Sequence, residues 1–81
     1  MKKSTNKKQP TKSELDALKR FGAHIRAIRL QKSLTLEQCE ELGFPSWRNL
    51  SDIENGQNCT FITVLRLAKI FNMKVSDLAD Y

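Results

Sequence analysis

No stretch of about 18 consecutive apolar residues occurs in this sequence, and its lysine-rich start has no apolar segment behind it. Neither a membrane span nor a signal peptide is therefore expected, and a cytoplasmic setting follows by default. Cysteine and histidine are scarce too. Cys39 and Cys59 are too few and too far apart for a disulfide framework, and the lone His24 is not spaced with them as zinc ligands would be. Structural zinc normally takes four such ligands, more than the chain owns, so both cysteines read as reduced, buried fillers. A nucleophilic pairing of Cys39 with His24 lacks a third, orienting group and an anion-stabilising loop. With no paired acid–base set visible, an enzyme is not expected and no cofactor is implied. Strand-like alternation and internal repeats are also missing, which leaves helices as the building material.

What is present is lysine at one end. The net charge of +5 rests entirely on residues 1–12, where Lys2, Lys3, Lys7, Lys8 and Lys12 meet no acid; from Ser13 onward nine basic residues face nine acidic ones. This opening segment is polar and interrupted by Pro10, so it has too little apolar surface to offset the entropy of ordering and is expected to be a disordered arm. Two uses are open for it, phosphate tracking or minor-groove entry beside a folded domain, and simple solubility. The remaining residues, 13–81, are enough for one small domain near the lower limit of independent stability, and a hydrophobic content of 40% permits its core.

Five helices are predicted, over about 14–32, 36–42, 46–54, 61–71 and 76–80. Ser13 before Glu14 and Asp16 marks the first start, and Leu15, Leu18, Phe21 or Gly22, Ile25 and Ile28 recur every three or four residues along one face. Gly22 inside that helix costs about 1 kcal/mol relative to alanine, so a close packing partner is its expected justification. Thr35 caps a short second helix carrying Leu36, Cys39 and Leu42 at spacings of three. A turn through Gly43-Phe44-Pro45-Ser46 leads into the third. Thr60 caps the fourth, whose stripe is Val64, Leu67, Ala68 and Phe71, with Asn72 ending it; Ser76 caps the last. Ile62, Leu65 and Ile70 exceed the fourth helix's stripe, with a wider core as the expected use and a dimer contact as the other.

The third helix is the unusual one. Leu50 and Ile53 give it one narrow apolar side, while Trp47, Arg48, Ser51 and Asp52 point the other way and offer an aromatic plate, a forked donor, a hydroxyl and a carboxylate. Two short helices joined by a tight turn make a helix-turn-helix candidate.

From Phe21 to Leu78 the sequence resembles the Cro and phage-repressor (Xre-like) helix-turn-helix family. The residues that carry the resemblance are Phe21-Gly22 with Ile25, Ile28 and Arg29; Leu34-Thr35; Ile53-Glu54-Asn55-Gly56; Leu67-Ala68; and Val75-Ser76-Asp77-Leu78. It implies an all-α, five-helix, lambda-repressor-like domain that binds double-stranded DNA as a transcriptional regulator, commonly a homodimer through helices four and five. It also implies an internal ion pair between Arg29 and Glu54, base-facing positions at Trp47, Arg48, Ser51 and Asp52, and phosphate contacts from Thr35, Ser46, Asn49, Asn55 and Gln57. Asp52 has two open uses, accepting from cytosine N4 or orienting Arg48; Trp47 has two as well, contact with a thymine methyl or sugar, or half-burial against Leu36. The sequence departs from the family where a small residue in the second helix is replaced by Glu40, where Phe44 follows the turn glycine, and where Cys59 stands in place of a common proline. The third helix carries one base against Asp52 and Glu54, a thin positive surface for a polyanion. A rival reading uses the same fold as an antitoxin-like or other protein-interaction module.

Overall fold

The computed structural model describes residues 9–81, all of whose regular structure is helical: α1 Lys12–Gln31, α2 Leu36–Glu41, α3 Trp47–Glu54, α4 Phe61–Phe71 and α5 Val75–Leu78. Lys2, Lys3, Lys7 and Lys8 lie outside the described residues. Each boundary has a local cause. Thr11, not Ser13, caps α1: its Oγ1 accepts from the Glu14 N–H at 3.1 Å while Glu14 Oε1 accepts from the Thr11 N–H at 2.8 Å. This reciprocal box satisfies two orphan donors. Lys12 consequently belongs to a helix and not to the arm.

The same device opens α2, where Thr35 and Gln38 exchange bonds of 2.8 and 3.0 Å. Ser46 caps α3 by accepting from the Asn49 N–H, and Thr60 caps α4 by accepting from that of Thr63. Asn72 ends α4 in the left-handed region at φ 56°, which lets the Met73 N–H close on the Ala68 carbonyl. The start of α5 also departs from expectation. The Asp77 carboxylate turns back to accept from the Lys74 N–H, so the helix starts at Val75 and Ser76 lies inside it.

One core joins all five helices. Phe21, Ile25 and Ile28 of α1 meet Leu50 and Ile53 of α3, with Leu67 and Phe71 of α4 and Leu78 of α5 behind them. Cys39 from α2 is wholly buried within it, and Cys59 packs against its edge; both thiols are free. Burial pushes both thiols above their ordinary range, with the Arg29 charge partly opposing the effect at Cys39. His24 Nε2 donates to the Asp77 carbonyl at 2.8 Å and ties α1 to α5.

Four apolar expectations need correcting. Leu15 is 46% exposed and Leu18 half-buried, because the first turns of α1 run past the core, which begins at Phe21. Leu42 is exposed, because α2 stops at Glu41 and the chain swings away through Gly43 at φ +121°. That swing delivers Phe44 into the core, 2% exposed, a position the turn signals had marked as loop. On α4, Ile70 does pack against the core, but Ile62 and Leu65 are exposed and do not widen it.

Candidate nucleic-acid interface

The position of α3 is set from behind. Gly22 lies so close to the end of α3 that an added Cβ would collide with the Ile53 carbonyl oxygen and stand 2.7 Å from that of Glu54. Glycine at this point allows the two backbones to touch, which accounts for its place in a helix interior. Beside it, Arg29 Nε and Nη2 donate to the two Glu54 carboxylate oxygens at 2.7 and 3.0 Å, and Nη1 donates to the Leu34 carbonyl at 2.8 Å. The two side chains are 9% and 6% exposed. A planar fork meeting a carboxylate edge-on is the geometry in which charge-assisted bonds are strongest. The Glu54 hydrogen bond, ahead of every other influence, holds the guanidinium above its already high range. Arg29 thus connects α1, the approach to α2 and the last residue of α3.

At its front, α3 is held by its neighbour. Glu40 Oε2 accepts from the Trp47 N–H at 3.3 Å, and the Ser46 hydroxyl takes the Asn49 N–H. Two of the helix's free N-terminal donors are therefore satisfied within the chain, and a carboxylate sits where the helix dipole favours negative charge. Glu40 is the residue that sequence reasoning saw only as a departure. Its function depends on how α2 and α3 are angled, which a sequence separation of seven does not disclose.

With Leu50 and Ile53 buried, the opposite side of α3 faces outward. Trp47 is 36% exposed, Arg48 and Asp52 are exposed, and Ser51 is half-buried. The Arg48 guanidinium lies over the Trp47 ring, 5.3 Å from its centroid. It makes no ion pair with Asp52, so the idea that Asp52 orients it from one turn away does not hold in this structure. Thr35, Asn49, Asn55 and Gln57 surround this face and are all exposed. Asn55 donates to the Ser51 carbonyl at 2.8 Å, and Thr35 is engaged in capping α2. Ser46 is half-buried; its hydroxyl accepts from the Asn49 N–H, which leaves its own O–H free to donate.

Comparison of the chain with protein-family models, with curated proteins and with solved structures returns no significant match. The functional reading therefore rests on the site's own chemistry. Charge balance there is delicate: Glu54 is neutralised by Arg29, which leaves Arg48 facing Asp52 and Glu40. A second exposed feature lies on α4, where Phe61, Ile62 and Leu65 are 64%, 58% and 46% exposed. No helix among the described residues is long and apolar enough to cross a membrane.

Proposed function

We propose that this chain is a sequence-specific double-stranded DNA-binding regulator of transcription, of the lambda-repressor-like helix-turn-helix type found in bacteria, phages and mobile elements. The observation that carries the reading is the two-sidedness of α3. Its back is fixed by a backbone-to-backbone approach and a buried ion pair, while an indole, an unpaired guanidinium and a carboxylate stand free on its front. A rod of this diameter fits the major groove, where Arg48 donates to guanine O6 and N7 and Asp52 accepts from cytosine N4. Thr35, Ser46, Asn49, Asn55 and Gln57 flank the groove as phosphate partners, the two capping hydroxyls through their free O–H donors.

One cation on the reading helix is little for a polyanion, so the lysines of residues 1–8 supply much of the attraction. The apolar α4 face serves a homodimer, whose two-fold axis spaces two half-sites about one helical turn apart. Fluorescence anisotropy with random duplex DNA tests the reading. Binding falls steeply as salt rises, and more shallowly once residues 1–8 are deleted, a truncation that spares the Thr11 cap. Failure of both chains to bind duplex at low salt overturns it. The exposed Phe61, Ile62 and Leu65 also favour a second reading, in which the fold holds an apolar protein partner; that association responds little to salt.

A further inference from the structure

The front of α3 pairs a flat apolar ring with a flat cation. The guanidinium carbon of Arg48 lies over the Trp47 indole, 5.3 Å from its centroid, and the N–H donors of the group are uncommitted among the described residues. No carboxylate takes them, the one ion pair among the described residues being Arg29 with Glu54. A stacked guanidinium is also partly preorganised, so less side-chain freedom is lost when its fork engages a ligand.

Resting on the DNA-binding reading above, we propose that Trp47 and Arg48 act as one unit that reads two adjacent base pairs, a guanine and a neighbouring thymine, the thymine through its 5-methyl group. When the fork donates to guanine O6 and N7, the guanidinium lies in the plane of that base pair. The indole centre lies 5.3 Å from the guanidinium carbon, a distance under two base-pair steps of about 3.4 Å, which brings the edge of the neighbouring pair within its reach. On that edge in the major groove, the thymine methyl is the one apolar group that the four bases display. Cytosine or uracil there leaves the ring against water, whereas 5-methylcytosine presents the same methyl as thymine.

The test begins with selection of bound sequences from a random duplex pool by the full chain, followed by replacement of the thymine beside the contacted guanine with uracil, which removes the methyl alone. Enriched sites carry the guanine–thymine neighbours, and wild-type affinity falls about fourfold on the thymine-to-uracil change, the worth of one buried methyl. Trp47→Ala melts like wild type and binds the two sites equally, and Arg48→Met, which has no donor for guanine O6 and N7, loses the guanine preference. Equal wild-type binding to thymine and uracil sites, or tight salt-sensitive binding to sites without such neighbours, overturns this inference and leaves the DNA reading standing. A pool that yields no enrichment, with no binding at low salt, overturns both. Should Trp47→Ala fail to fold, the wild-type comparison decides alone.

Discussion

Replacing Arg29 with alanine removes three hydrogen bonds and leaves the Glu54 carboxylate, 6% exposed, without its counter-charge. Breaking one side of a buried pair costs about 3–5 kcal/mol, most of it from the orphaned charge. A chain of this length has about 4–12 kcal/mol of total stability at the usual contribution per residue. The substitution therefore lowers the melting temperature by roughly 12–40 °C, judged from the entropy of unfolding of small domains. Circular dichroism melts of three proteins separate the causes: wild type, Arg29→Ala, and a double variant carrying Arg29→Met and Glu54→Leu. The double variant recovers most of the loss, because neither charge remains to be desolvated; about 1 kcal/mol stays lost with the bond to Leu34. The stabilisation is barely screened by salt, as the pair is buried. The sign of the guanidinium's own proton linkage follows from its raised pKa: its share of the stabilisation is complete below the ordinary arginine range and is lost as pH rises above it. An Arg29→Ala melt that matches wild type, or a double variant no better than the single one, refutes the reasoning.

Gly22→Ala, which stabilises most exposed helices, lowers the urea midpoint here by the equivalent of about 1–3 kcal/mol, because the added methyl meets the carbonyls of Ile53 and Glu54. Glu40→Gln keeps an oxygen for the Trp47 N–H while removing one negative charge from the interface; at a separation of about 5 Å from a phosphate this is worth about 0.8 kcal/mol in water, so duplex affinity rises about fourfold at low salt in an anisotropy titration. Cys39 and Cys59 both have thiol pKa values raised by burial above the ordinary 9.0. The folded state then holds more protons than the unfolded one above that pH, and stability declines as pH climbs from about 9; Cys59→Ala makes the decline shallower in melts at pH 7 and pH 10. Replacing Ile62 and Leu65 together with glutamate leaves the melt unchanged and shifts the protein to monomer in sedimentation velocity, if α4 is where two copies meet.

Local chemistry was the part most readily seen in the sequence. Thr35, Ser46 and Thr60 cap helices because a hydroxyl three residues before a free N–H needs no tertiary help, and Asn72 ends α4 because it tolerates a left-handed backbone. Where two local solutions compete, the start that closes a return bond to the cap N–H is the one seen: Thr11 with Glu14 in place of Ser13, and Lys74 with Asp77 in place of Ser76. Tertiary placement was harder to see. Leu15 and Leu42 fit a helical stripe by spacing, yet α1 overruns its core and α2 stops short of Leu42. Phe44 follows a turn glycine and reads as loop, but the turn exists to bring it inward. At the interface, the outward set of Trp47, Arg48 and Asp52 followed from period alone, since Leu50 and Ile53 could only face in. The Trp47–Arg48 stack and the Glu40 contact did not follow, because neither a rotamer nor an interhelical angle is encoded in spacing.

The collision that Gly22 avoids has a consequence for how this protein changes over generations. Two chains of backbone pressed together cannot tilt or slide by small degrees, so α3 is presented at one fixed attitude whatever stands on its outer side. Under the DNA-binding proposal, new preferences then arise by exchanging Trp47, Arg48, Ser51 or Asp52 one at a time on an unmoved frame. The fold separates what it must keep from what it is free to vary.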